Sequence, residues 1–229
     1  MASGQYNFAN VSRFNDNAIV KQAVNLNTLP SKETLRQRFD DIALHNENQS
    51  LVDSLIIKQL KMVKDFGNIK TEHLEYIPLD IDVSIMEQPN CKKEGLSWTY
   101  HEVMGYAPIF GYLGTNGYML GNELRKGSQH SLPGKFIQRC FNKTDSLGIK
   151  RSEILLRADL GHDDKNFLKL QNESGVKCLI KRNFCKEDRN HYIENALGSD
   201  IKIDEKHGKS ICALSHVKPE GCEKTATWY

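Results

Sequence analysis

The chain has 229 residues, with 31 Lys and Arg against 29 Asp and Glu, a formal charge of +2, and 39% hydrophobic residues. That length suits one substantial core, or a domain with a small appendage, and so balanced a charge singles out no partner by itself. No apolar run approaches the roughly 18 residues of a membrane span, and Met1-Ala2-Ser3-Gly4-Gln5 lacks the basic-then-apolar pattern of a secretory leader, so neither a membrane segment nor an export signal is expected.

Residues 1–28 are polar, Asn-rich and weakly patterned, and predict a loose arm or a short helix around Asn17 to Val24. Pro30-Ser31 opens a helix in which Leu35, Phe39, Ile42 and Ala43 recur at helical spacing. A second helix is predicted from Ser50 to Phe66. Ser50-x-x-Asp53 is its N-terminal box, its stripe is Leu51, Leu55, Ile56, Leu60 and Val63, and Gly67-Asn68 stops it. Both stripes read most simply as core. The six cysteines show no CxxC pair and read as reduced structural thiols.

From Tyr76 to Met86 the residues alternate strictly. Ile77, Leu79, Ile81, Val83 and Ile85 take one face of a strand, and Tyr76, Pro78, Asp80, Asp82 and Ser84 the other. Two aspartates on one face of a half-covered strand are costly unless a cation neutralises them. The plain alternative is an edge strand with a solvated polar face. After a turn at Asn90 to Gly95, the short aromatic runs Trp98-Thr99-Tyr100, Tyr106 to Leu113 and Tyr118 to Leu124 predict an antiparallel meander, with a hairpin at Gly114-Thr115-Asn116-Gly117 and Pro108 limiting its strand's place in the sheet. A polar loop, Arg125 to His130, leads into a helix from Pro133 to Ser146 with Phe136, Ile137, Cys140 and Phe141 on one side.

A second acidic strand, Glu153 to Gly161, ends on Asp159, which taken alone reads as a turn former or helix N-cap. Then come a helix at about Asp163 to Glu173, a strand at Val176 to Lys181, a helical piece at Asp188 to Ala196, and polar strands at Ser199 to Asp204 and Ser210 to Leu214. Two strands that each deliver an aspartate are the ingredients of a divalent-metal site. Between Cys91 and Arg151 stand nine basic and four acidic residues, an excess that suits a polyanion or, equally, a solvated surface.

Three antiparallel strands beginning with an Asp strand, then a helix, then another Asp strand is the succession of the ribonuclease H-like fold. The chain resembles the DDE transposases of bacterial insertion sequences. The likeness rests on Leu79-Asp80-Ile81-Asp82-Val83-Ser84, on Lys93-Glu94-Gly95 leading to Gly105-Tyr106-Ala107-Pro108-Ile109, on Leu124-Arg125-Lys126-Gly127-Ser128-Gln129-His130, and on Leu156-Arg157-Ala158-Asp159-Leu160-Gly161. Leu29 to Phe39 is similar to that family's helical N-terminal region.

The resemblance implies an α/β mixed sheet with flanking helices, preceded by a small helical N-terminal region: residues 1–70 helical, 71–229 the DDE catalytic domain, incomplete at the C-terminus. It implies DNA transposition by metal-dependent phosphodiester cleavage and strand transfer, with Mg2+ in a two-metal site. It assigns Asp82 as first ligand, Asp159 as second and Asp80 as fallback first ligand, and makes Arg125, His130 and Arg157 candidates for phosphate contact. DNA, as element ends and target, is the implied partner, a homodimer is an open option, and the implied setting is the bacterial cytoplasm at the nucleoid.

The family's third acid, in a Tyr-x-x-Arg-x-x-x-Glu helix, finds no match at Tyr192-Ile193-Glu194, and Leu160 and His162 depart from its pattern. A truncated, inactive copy is therefore the expectation. The alternatives are a non-catalytic DNA-binding remnant and an unrelated nuclease completed by Glu187, Asp188 or Glu194.

Overall fold

The computed structural model describes residues 7–44, 48–72, 74–90, 92–129, 134–159, 169–170, 173–181, 188, 190, 193–194, 204–206, 209–211, 214–217 and 226–228. The chain divides into two compact units, Met1–Leu55 and Ile56–Tyr229. The boundary expected at residue 70 falls inside the second.

In the first unit a 3-10 turn, Phe8–Phe14, precedes helices α1 (Ala18–Ala23) and α2 (Lys32–Leu44). Asn17 caps α1 by accepting the Val20 N–H at 3.0 Å, and the Ser31 hydroxyl accepts the Thr34 N–H at 3.1 Å as α2 opens. Phe8 packs on Phe39 with ring centroids 5.4 Å apart. The α2 stripe is nevertheless not core: Leu35 is half-buried, and Phe39 and Ile42 remain 47% and 50% exposed.

Helix α3 (Asn48–Leu60) begins two residues before the expected Ser50, and the unit division falls within it. Leu51 and Leu55 are exposed, whereas Ile56, Leu60, Val63 and Phe66 pack against the hydrophobic core of the second unit. The helix stops at Leu60, short of the predicted Phe66, yet Val63 and Phe66 beyond it are still partly buried against the core, while Met62 is 74% exposed.

The second unit is built on strands β1 (Ile69–Lys70), β2 (Glu75–Val83), β3 (Met86–Glu87), β4 (Ser97–Trp98), β5 (Met104–Tyr106), β6 (Ile109–Leu113), β7 (Tyr118–Glu123), β8 (Ile154–Ala158) and β9 (Lys177–Ile180). The main sheet runs β7-β6-β2-β8-β9, with β1 paired to β2. Pairing is antiparallel between β7, β6 and β2, and parallel between β2, β8 and β9. Counted along the chain, the five strands of that path stand in the order three-two-one-four-five. This is the ribonuclease H-like mixed sheet, as expected. Strands two to five of the path are parted by a tight turn, by helix α4 (Gly134–Ser146) and by a long crossover.

Alternation decides which face is core. Leu79 and Ile81 of β2, Ile109 and Leu113 of β6, Leu120 of β7, and Ile154 and Leu156 of β8 are buried with Phe136, Ile137, Cys140 and Phe141 of α4. Each such side chain contributes about 1.5–3 kcal/mol by leaving water. Cys140 is buried in the core, and burial pushes the Cys178 thiol up to about 11, so Cys178 stays neutral and packs as an apolar side chain.

The predicted strand from Tyr76 to Met86 and the run from Tyr106 to Leu113 each break once, at Ser84-Ile85 and at Ala107-Pro108. The breaks face one another, and the register continues across them: Val83 is opposite Ile109, Met86 opposite Tyr106. Ser84 N–H donates to the Pro108 carbonyl at 3.0 Å. A single antiparallel ribbon therefore leaves the main sheet, bends where Pro108 offers no N–H, and forms the small sheet β3-β5-β4.

The Gly114–Gly117 turn closes β6 onto β7 as predicted. Gly114 has φ +76°, and a Cβ there would lie 1.8 Å from the Phe66 carbonyl oxygen, so both its conformation and its neighbour require glycine.

The helices expected at Asp163 to Glu173 and Asp188 to Ala196, and the strand at Ser199 to Asp204, lie mostly outside the described residues. The strand expected at Ser210 to Leu214 is instead shared by two hairpins, β10 (Asp204–Lys206) with β11 (Lys209–Ile211), and β12 (Leu214–Val217) with β13 (Ala226–Trp228). Among the described residues no helix is long and apolar enough to cross a membrane.

Candidate functional site

The carboxylates gather at the C-terminal ends of β2 and β8. These neighbouring parallel strands pair from Ile77 with Ile154 to Ile81 with Ala158. Asp82 and Asp159 each stand one residue beyond the last pair, so they are level, on adjacent strands about 4.8 Å apart. Alternation puts both on the face away from α4, with Asp80 and Arg157 one pleat behind. Both Asp82 and Asp159 are exposed, and one Asp82 oxygen accepts the Val83 N–H at 2.8 Å.

Asp80 has a different environment. It lies opposite Arg157 in the ladder, and the guanidinium grips it with both arms, Nε to Oδ1 at 2.5 Å and Nη2 to Oδ2 at 2.6 Å. The side chains are 35% and 39% exposed. These hydrogen bonds, opposed by desolvation and helped by the charge of Asp80, raise the Arg157 pKa above its ordinary value. Hence the fallback ligand and one of the candidate phosphate contacts are spent on each other. The β6 side of the site is apolar: Tyr112 lies opposite Asp80 and Phe110 opposite Asp82, and the two rings stack at 6.2 Å.

Arg125 lies elsewhere. It is 4% exposed, its Nε donates to the Ala107 carbonyl at 3.1 Å, and its own carbonyl accepts the Ala107 N–H at 3.0 Å. Burial lowers its pKa, opposed by nearby Glu123. In this position it secures the bend of the ribbon. Two residues on, Gly127 presses so close to the small sheet that a Cβ would sit 2.4 Å from the Ser97 carbonyl oxygen. His130 lies outside the described residues.

The basic excess around this sheet is also smaller at the surface than the sequence suggests. Lys143 is buried and donates to the Leu120 carbonyl at 2.8 Å, Arg139 pairs with Glu123 at 2.9 Å, and Arg151 pairs with Asp145 at 2.6 Å. Lys92, Lys93, Lys126, Lys135 and Lys150 are exposed.

Two level carboxylates offer hard oxygen donors to a largely hydrated ion, the donor set that Mg2+ accepts. Among the described residues no three His, Cys, Asp or Glu side chains come together around a common point. Of the proposed alternative third ligands, Glu187 lies outside the described residues, and an Asp188 oxygen accepts the Asn190 N–H at 2.9 Å.

Sequence reasoning missed the Asp80–Arg157 pair. The signal was present: Asp-x-Asp and Arg-x-Asp on parallel strands, aligned on their last aspartates, must set Asp80 against Arg157.

No family model and no curated protein matches the sequence. Among solved structures, the chain is similar to the Mos1 mariner paired-end complex with Mn, at 11% identity over 82% of this chain and 64% of that one, with a TM-score of 0.31. It is also similar to the piggyBac transposase synaptic complex with hairpin DNA, at 14% identity over 53% and 26%, with a TM-score of 0.30. A third likeness is to the simian T-cell lymphotropic virus intasome in complex with PP2A regulatory subunit B56 gamma, at 12% identity over 51% of this chain and 35% of that one, with a TM-score of 0.31. The matched region is thus less than two thirds of each neighbour's length, and the fold stands on its own strand order.

Proposed function

We propose that the chain is the ribonuclease H-like part of a DDE-type transposase of a bacterial insertion sequence, acting in the cytoplasm on element ends and target DNA. One observation carries the reading: Asp82 and Asp159 end level on the first and fourth strands of a sheet ordered three-two-one-four-five. Asp82 and Asp159 would hold Mg2+ between them. When bound, the ion neutralises charge on a phosphodiester and acidifies water, the chemistry of strand cleavage and transfer. The chain's own residues set the conditions. Asp80 adds no net charge because Arg157 cancels it, and Phe110 and Tyr112 shield one flank from solvent.

The test is a calorimetric titration of the full chain with Mn2+, which substitutes for Mg2+ at oxygen sites. Wild type should bind, and Asp82→Asn or Asp159→Asn should abolish binding. No uptake by wild type, or uptake indifferent to both changes, removes the reading.

A second reading has support in the lack of a three-carboxylate group among the described residues. It is a DNA-binding remnant, which would bind DNA with steep salt dependence and take up no Mn2+. Cleavage of plain duplex DNA by this chain alone would point instead to a self-sufficient nuclease.

A further inference from the structure

We infer that the Asp80–Arg157 pair is the register key of the site. It is a positioning pair that holds β2 and β8 at the one offset where Asp82 and Asp159 are level, and it supplies neither a metal ligand nor a phosphate contact. The inference rests on the metal-site reading above.

The need for such a key follows from the pattern of the two strands. Facing the core, β2 offers Ile77, Leu79 and Ile81, and β8 offers Ile154, Leu156 and Ala158. A slip of one residue would turn these into solvent and is forbidden by the apolar pattern. A slip of two residues is not. It keeps every apolar side chain inward and changes only which neighbours meet, while displacing Asp82 from Asp159 by about 6.6 Å along the strands.

The polar face is what distinguishes these offsets. At the observed one, Asp80 meets Arg157 in a two-armed ion pair. Slipped one way, Asp80 would face Asp159, two like charges in direct opposition. Slipped the other way, Asp82 would take Arg157 for itself, and Asp80 would face Leu155 with no counter-charge. Only the observed offset sets Asp82 level with Asp159. The fork geometry also matters, because a guanidinium fixes a carboxylate in two directions and an ammonium in one.

The experiment measures Mn2+ affinity of the full chain by calorimetry, with circular dichroism establishing that each variant is folded. Asp80→Ala and Arg157→Ala should each weaken binding by about tenfold to 100-fold, the usual effect of removing a group that orients a metal ligand. The reversal D80R/R157D should recover most of that loss, and Arg157→Lys should fall between wild type and Arg157→Ala. If Arg157→Ala does not fold, the comparison of Arg157→Lys with wild type decides, and equal affinities overturn the inference.

If Asp80 were itself a ligand, freeing it from Arg157 would leave binding unchanged or tighter, and the reversal would fail. Either result sinks the positioning role while Asp82→Asn and Asp159→Asn still abolish binding. Absence of Mn2+ binding in wild type, with those two changes having no effect, is a different outcome. It overturns the site reading and the register key together.

Discussion

The two faces of the central sheet are made from alternate residues of the same strands, and they specify different things. Toward α4 the strands present Leu79, Ile81, Ile109, Leu113, Ile154 and Leu156, all buried. Away from it they present Asp80, Asp82, Arg157 and Asp159, with Tyr112 and Phe110 alongside. The apolar face makes the sheet stable but reads register only modulo two residues. The charged face adds little stability and resolves that ambiguity, so strength and chemical placement are assigned to opposite sides of one ladder.

The largest way to break this contrast is to attack the apolar face. Phe141 is fully buried against the core strands, and Phe141→Ala should lower unfolding free energy by about 3–5 kcal/mol, with Leu79→Ala lowering it by about 2–5 kcal/mol. Denaturant titration measures both. A loss below about 1 kcal/mol in either would mean that the α4 face is not the principal core.

Next comes the ion pair. With both side chains more than a third exposed, solvent screening keeps its coupling well below that of a buried pair. A double-mutant cycle between Asp80→Ala and Arg157→Ala should give about 1–2 kcal/mol, between the exposed and buried ranges. Coupling near zero would show that the two-armed contact does not persist in solution.

How far these faces were legible differed between them for physical reasons. Strict alternation from Tyr76 to Met86 located the first strand and put Asp80 and Asp82 on one side, and the Phe136, Ile137, Cys140, Phe141 stripe located α4. Both signals are local and periodic. The role of Arg157 was not local: it depends on which strand lies beside β2 and at what offset, and read singly it looked like a phosphate contact. Arg125 was hidden in the same way, since nothing nearby in sequence announces that it folds back to the Ala107 carbonyl. The helical periodicity of Phe39 and Ile42 was read correctly as a helix and wrongly as core. Amphipathicity states which face is apolar and is silent on whether anything covers it.

A smaller effect should appear with acid. Hydrogen bonds and charge from Arg151 hold the Asp145 carboxyl below its usual range, despite desolvation acting the other way. A depressed folded-state value means that the pair stabilises the fold above the unfolded pKa, about 3.9, and loses that contribution as pH falls through the lower folded value. Since Arg151 also lies over the Phe141 ring, 5.1 Å from its centroid, acid should loosen the end of α4. Asp145→Asn should flatten the low-pH limb of the stability curve while leaving Mn2+ binding intact. A curve identical to wild type would remove the pair from the acid response.

The smallest expected effect is the most discriminating. Asp82 is exposed and accepts only the adjacent Val83 N–H among the bonds described for it, so Asp82→Asn should change stability by less than about 0.5 kcal/mol in metal-free buffer. Any change should be toward greater stability, because the substitution removes a like charge beside Asp159 on the neighbouring strand. Adding Mn2+ should then separate the two proteins. A ligand that binds only the folded state stabilises it by mass action, about 2.7 kcal/mol at a hundredfold excess over Kd, so the wild-type melting temperature should climb with Mn2+ while that of Asp82→Asn stays flat. A variant that was unstable without metal would place Asp82 among the structural residues, on the side of the ledger held by Asp80. One that rose in parallel with wild type would show that the ion binds somewhere other than between Asp82 and Asp159.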